Sequence, residues 1–412
     1  MNRFPAVLAS GRPMLARLSE LATLFLKLGI IGFGGPAVHI STMEDEVVHR
    51  RGWIDRQHFL DLVGATNLIP GPNSTEMAIH VGFLRAGLAG LLVAGVCFVV
   101  PAVLITLGFA WVYEQYGQSP NVAPLLEGIK PAVLAVILAA GWRLAKVAIR
   151  SVPLAVIAMA VAAAAHLGVE VAVALLVGGL LGMLYLRLTS GRNGRNGVAA
   201  NLLTLAGALM SRSAVAGGVL YAPVVLAADV AHRAGEPSLW RLGLFFLKVG
   251  AVLYGSGYVL VAYLRDGIEA GGALAGVLSE DQLLEAIAIG QFTPGPILST
   301  ATFIGYLVAG VPGAVVATLG IFLPSFVFVA ITNPLIPRLR QSAWMSAFLD
   351  AVNAAAIGLL ALVTVTLARG SLVDVQSWLI ALAAAVVLLV WKVQPAWLIL
   401  GGAVAGAVGG RL

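Results

Sequence analysis

Residues 87–112, GLAGLLVAGVCFVVPAVLITLGFAWV, carry no charge and show no alternation of polar and apolar residues. About 20 apolar residues cross the hydrocarbon core as a helix, whereas strands of a membrane barrel alternate. Inside lipid each backbone N–H and C=O must be paired within its own segment, so such a run has to be helical. Further apolar segments fall near 19–38, 57–84, 88–113, 125–143, 151–166 and 169–188, then near 242–265, 281–309, 313–335, 348–368, 373–390 and 395–411. Only 11% of the residues are charged, against about 25% in soluble domains. The expected fold class is an all-α polytopic membrane protein. The net charge of +6 sits in short loops, where it sets orientation in the bilayer, so no nucleic-acid partner is expected. Cys97 stands alone, which excludes an intrachain disulfide. Arg3, Arg12 and Arg17 lead directly into a full-length apolar segment, so no cleaved signal peptide is expected.

The two series of segments repeat one another. FLKLG (25–29) returns as FLKVG (246–250), PGP (70–72) as PGP (294–296), Pro101 as Pro324, and LEGIKPA (126–132) as LDAVNAA (349–355). Gly178 and Gly182 match Gly402 and Gly406. A nearly constant offset over most of each half indicates an internal duplication, which in membrane proteins commonly means a transporter. The expected units are 1–188, a linker 189–240 with one extra crossing near 213–231, and 241–412. Basic residues change sides between the halves. Arg143, Lys146 and Arg150 follow the fourth segment of the first half, while Arg338 and Arg340 follow the third segment of the second. The positive-inside rule then favours two homologous halves of inverted topology. Thirteen crossings satisfy this. Making 57–84 a re-entrant hairpin also fits, except that the basic N-terminus would face outside.

Both halves place helix breakers deep inside apolar segments. Proline in a helix removes a hydrogen bond, and unpaired backbone is tolerated at membrane depth only beside protein or a wet cavity. Pro70, Gly71 and Pro72 precede Asn73, Ser74, Thr75 and Glu76; Pro294, Gly295 and Pro296 precede Ser299 and Thr300, with Thr302 a turn further on. Pro72 and Pro296 suit the first position of a new helix, and a helix start attracts anions. Asn67 and Gln291 are matching amides before each PGP. The first segments are broken as well, at Phe33, Gly34 and Gly35 and at Gly255, Ser256, Gly257 and Tyr258, with Lys27 and Lys248 at matching positions before them. An ionisable residue in a span is a functional candidate. These residues together suggest a site for a small dianion. The plainer alternatives are structural kinks for the breaks, snorkelling for the lysines, and satisfied polar residues for Glu76, His39 and His80. Glu76 and His39 are the candidate proton-coupling groups, and only one half has the acid. SEDQ (279–282) is expected to be a capping box. No enzyme motif, metal site or cofactor site is present in the pattern.

FGGPAVHI (33–40), NLIPGPNSTEMAIHVGFLRAG (67–87), FLKVGAVLYGSGYVLVAYL (246–264) and QFTPGPILSTATFIGYLVAG (291–310) resemble the chromate ion transporter family in its two-domain, long-chain form. The resemblance implies two homologous halves of opposite orientation in the bacterial inner membrane, and export of chromate driven by the proton motive force. It extends to sulfate, a tetrahedral dianion of similar size. It carries over the positions Phe33 to Pro36, Pro70 to Glu76, Gly255 to Tyr258 and Gln291 to Pro296, Thr293 among them. The expected mechanism is alternating access, with the oxyanion held between the two PGP helix starts. For a dianion, an inside-negative potential of 100 mV favours exit by about 4.6 kcal/mol, twice the single-charge value, so the driving ion stays open. Sulfate uptake or exchange, and an anion channel, are the alternatives, and the sequence leaves open whether the chain pairs as a homodimer.

Overall fold

The structure is a computed structural model and describes residues 13–33, 35–117, 119–189, 238–255, 257–269, 272–333, 342–391 and 393–409. The linker, the expected crossing near 213–231, Arg338 and Arg340, Gly34 and Ser256 lie outside the described residues.

The described residues are helical and contain no strand. In the first half run α1 (Met14–Ile31), α2 (Pro36–Glu44) continued by a wide turn at Asp45–Arg50, α3 (Arg56–Thr66), α4 (Asn73–Tyr116), α5 (Ala123–Ala148), α6 (Val152–His166) and α7 (Val171–Thr189). The second half repeats the order with α8 (Leu239–Val252), α9 (Leu260–Ile268), α10 (Glu280–Phe292), α11 (Thr300–Thr332), α12 (Ala343–Ser371), α13 (Val375–Trp391) and α14 (Pro395–Gly409). Among the described residues, five helices are long and apolar enough to cross a membrane. The duplication extends to the helix caps. Asp55 caps α3 through its carboxylate and Ser279 caps α10 in a full capping box, as expected from SEDQ; the two lie 224 residues apart, the same offset as the PGP motifs.

The segments before each PGP do not cross. Trp53 packs under the Arg85 guanidinium at 4.8 Å, so α3 starts beside the place where residues 73–85 end. Those residues form a first arm of α4, which folds back at Ala86 and Gly87 (φ 61°), bringing Gly82 and Gly90 into backbone contact. Ala309 and Gly310 (φ 60°) make the same fold in α11. The first segments are hairpins too. Tyr263 donates to the Val252 carbonyl at 2.9 Å and Gly267 packs on the Phe245 ring, while Lys27 reaches Glu46 across the first break. The segments at 57–84 and 281–309 are therefore re-entrant, not two of thirteen crossings. The sequence obscures this because 28 apolar residues look alike as one span or as two arms of about 20 Å. With both hairpins of the first half re-entrant, the objection about the basic N-terminus disappears, since Arg17 returns to the Arg85 end.

The halves are antiparallel and interlocked. The first half's hairpins gather at the Arg85 end of α4, through Arg17, Glu20 and Trp53. Those of the second half gather at its other end, where Tyr113 donates to Glu285 at 2.5 Å and Tyr306 to Glu114 at 2.8 Å. α5 packs against α13 and α14, and α12 against α6 and α7. The matched glycines line these crossed seams: Gly402 and Gly406 abut Gly128 of α5, and Gly182 abuts Ala351 of α12. Small residues let helix backbones approach where lipid supplies no hydrophobic drive.

Candidate substrate site

Four hairpin tips meet halfway along the long second arms. Gly29 touches Pro101 and the Phe98 carbonyl, 14 residues past the fold at Gly87. There the backbone groups freed by the breakers pair across the halves. Gly71 N–H donates to the Leu253 carbonyl at 2.8 Å, and Gly295 N–H donates to the Gly32 carbonyl at 2.8 Å. Leu253 and Gly32 are the last residues before the first-segment breaks, so each PGP is tied to the first break of the other half. Glycine is required at these tips: Gly71 has φ 142° and Gly295 φ 88°, conformations that side chains with a Cβ rarely adopt. The tips of the second half also join one another, since Tyr258 lies 3.4 Å from Gln291 Oε1 and Gly257 packs on Ile297 and Leu298. The arrangement thus differs from two PGP starts facing each other. The contacts that connect them run through the first-segment breaks.

A small cavity opens at one crossed junction, lined by Phe33 and Gly35 of the first break, by Gln291, Thr293 and Gly295 of the second PGP, and by Gln394–Ala396 at the start of α14. Gln291 accepts from Tyr258 and its buried Nε2 has no partner among the described residues. That amide is a donor without an acceptor, at a place where two chain breaks and a helix start converge. Thr293 lies 3.5 Å from Ser299 and 3.3 Å from the Gly290 carbonyl. Pro296 ends the loop, and Thr300 turns its hydroxyl back to the Ile297 carbonyl at 2.8 Å. At the opposite junction, Asn67 accepts from Asn73 at 2.7 Å, bridging the first PGP loop from Pro70 to Pro72. Gly255, at φ 95°, sits beside Asn353.

The lysines are not free charges. Lys27 is 2.7 Å from Glu46, which also takes Arg50 and Arg51. Lys248 is 2.5 Å from Glu170, in the turn between α6 and α7. His39 is engaged as well, with Nε2 donating to the Gly32 carbonyl at 2.8 Å and its ring edge-on to Phe98; it braces the first break. Ser74, Thr75, Glu76 and His80 are buried on the first arm of α4. The hydroxyl of Thr75, both oxygens of Glu76 and both nitrogens of His80 have no hydrogen-bond partner among the described residues. For His80 the plainer alternative is a satisfied polar residue, but neither of its ring nitrogens is paired among the described residues. Sequence reasoning missed Ser325, Glu46, Glu170 and Gln394. Ser325 had one available signal, its place directly after the duplicated Pro324.

Two interlocked helical repeats, each with paired backbone breaks, define a multi-pass membrane protein of repeat architecture. The chain belongs to the chromate transporter family: the family described as "Chromate transporter" matches residues 19–183 and 240–407. The chain is similar to the chromate transport protein of Cupriavidus metallidurans, 31% identical over 94% of this chain and 91% of the relative. It is also 29% identical to a probable chromate transport protein of Synechococcus elongatus, covering 89% and 88% of the two chains. A chromate transport protein of Pseudomonas aeruginosa is 31% identical, over 85% and 81%. No solved structure matches the chain.

Proposed function

We propose that the protein is a secondary active transporter that exports chromate across the bacterial cytoplasmic membrane. The observation that carries this reading is the pair of crossed backbone hydrogen bonds, Gly71 to Leu253 and Gly295 to Gly32. They make each mid-depth break a joint between repeats, and so a place where one repeat rocking on the other changes access. The oxyanion is bound by groups around these joints. In the crossed cavity Gln291 and Thr293 donate, Phe33 and Gly35 close the wall, and the start of α14 faces the charge. Ser74, Thr75, Ser299 and Thr300 line the two PGP arms, with Pro70, Pro72, Asn73, Pro294 and Pro296 holding the loops open. Gly257 and Tyr258 complete the first-segment tip of the second half. Lys27 and Lys248 supply charge only when the anion draws them from Glu46 and Glu170. Glu76 carries the coupling proton.

The Arg85 end faces the cytoplasm. It gathers Arg17, Arg50, Arg51, Arg56 and Arg85, and chain parity returns Lys146 and Arg150 to it, in keeping with the positive-inside rule. Expression in a chromate-sensitive host is expected to lower cellular chromium and raise resistance. Raised chromium would instead establish uptake, and flux of sulfate without chromate would establish a sulfate carrier. Flux that ignores a pH gradient and saturates with neither anion would establish a channel.

A further inference from the structure

α7 and α14 begin at equivalent places in the two repeats, and their starts are furnished differently. Glu170 directly precedes α7 and Gln394 directly precedes α14, at the same offset as the two PGP motifs. The start of α7 is held by both arms of the second half's first hairpin. Asp266 of α9 accepts a hydrogen bond from the Val171 N–H, and Lys248 of α8 pairs with the Glu170 carboxylate at 2.5 Å. Tyr263 ties this assembly to the first joint. It is buried, it is close enough to feel the charges of Asp266 and Glu170, and it donates to the carbonyl of Val252, the residue before Leu253. The start of α14 lines the cavity at the second joint instead. Lys27, the counterpart of Lys248, turns to Glu46 of its own half. Asp45, the counterpart of Asp266 by the FLKLG–FLKVG offset, is exposed. Every residue that lines the cavity is uncharged, and Gln291 among them has a buried Nε2 with no acceptor among the described residues.

We infer that Asp266 and Glu170 are internal anions that close the first joint to substrate, so that the protein carries one oxyanion at a time, at the second joint, where Gln394 stands in place of Glu170. The inference rests on the oxyanion reading and adds which of the two joints takes the anion and what bars the other. A helix start offers free N–H groups and about half a positive charge, and it attracts whichever anion reaches it. At α7 the chain supplies that anion itself: the Asp266 carboxylate sits on the Val171 N–H as a bound oxyanion would. Two carboxylates against one ammonium leave a net negative charge there, which repels a dianion. At α14 the residue before the helix is a neutral amide, Gln291 and Thr293 bring donors to the same cavity, and no fixed negative charge stands in its wall. Duplication supplied two equivalent helix starts. One acid-to-amide difference at a matched position, with the carboxylate from α9, gives one start to the scaffold and the other to substrate. Lys248, held by Glu170, then meets the anion in passage and not at rest.

The test is equilibrium binding of radiolabelled chromate to the full chain in detergent, with the melting temperature recorded for each variant. Wild type is expected to bind one chromate per chain. Asp266→Asn keeps an acceptor for the Val171 N–H and removes the charge; combined with Glu170→Gln, which also frees Lys248, it is expected to bind two, the second within about tenfold of the first. Gln394→Glu writes the first joint's acid into the second and is expected to weaken binding more than tenfold. Asp45→Asn, the matched control, is expected to bind as wild type does. A cap with a purely structural role would move the melting temperature of the double variant and leave its stoichiometry at one, and that result overturns the inference. Two chromates per wild-type chain, or unchanged affinity in Gln394→Glu, overturns it as well and leaves the oxyanion reading standing; Gln394→Glu decides alone where the double variant does not fold. A wild-type chain that binds no chromate overturns the oxyanion reading itself.

Discussion

The two PGP joints have the same backbone and opposite interiors. Each puts a positive-φ glycine at a hairpin tip, and each ties that tip by an N–H to the last carbonyl before the other half's first break. Around the second tip, Thr293, Ser299, Thr300 and Thr302 find partners. Around the first, Thr75, Glu76, His80 and Ser325 find none. An unpaired buried polar group costs about 1–3 kcal/mol, so the first joint carries a heavier burden than the second, where the Gln291 amide nitrogen is also unpaired. Duplication accounts for the shared architecture. The difference is what a cycle needs if one joint carries the coupling ion and both carry the hinge.

The largest effect is expected from the shared element. Gly71→Ala and Gly295→Ala each force an alanine into a strained conformation, on the order of 1–3 kcal/mol, and drive a methyl group into Glu76 or Ala102. Both are expected to reduce chromate flux more than tenfold; normal flux in either would break the equivalence of the joints. Next, Glu76→Thr makes the first joint resemble the second and is expected to abolish pH-driven flux. The reverse change, Thr300→Glu, meets a site already tight against Gly290, and is expected to lower stability by about 1–3 kcal/mol, as overpacking does, without creating a second proton site. Thermal unfolding in detergent and proton release would separate these outcomes.

The paired lysines sharpen the comparison at intermediate scale. Glu170→Gln releases Lys248, whose side chain is 38% exposed, and is expected to change stability by no more than about 1 kcal/mol while lowering the KM for chromate two- to threefold. Glu46→Gln strands three cations and is expected to lower the melting temperature more than Glu170→Gln does. An unchanged KM in Glu170→Gln would remove Lys248 from the binding set. The smallest effect belongs to the caps. Asp55→Ala and Ser279→Ala are each expected to cost about 1 kcal/mol and to leave chromate flux unchanged, because both caps sit at the outer ends of hairpin arms.

Much of this was legible in the chain. Helical spans follow from apolar length, the breaks from prolines without N–H groups and glycines that accept positive φ, and the repeat from a constant offset. The capping box at Ser279 and the matched glycines of α7 and α14 were local signals with local causes. The re-entrant folding was not legible, because hydropathy measures length and not direction, and the turns at Ala86–Gly87 and Ala309–Gly310 contain no proline to announce them. The engagement of Lys27, Lys248 and His39 was hidden too, since Glu170 lies 78 residues from its lysine.

By itself the sequence determined that this protein lives in lipid, is built twice from one helical plan, and leaves backbone groups unpaired at four tips. Only the tertiary structure decided which tips join, and that they join across the halves. Hydrogen-bond partners more than 180 residues apart are chosen by how helices pack, and packing of this kind has no local code. The same packing left Glu76 and His80 without partners among the described residues while it paired Thr300, the counterpart of Glu76.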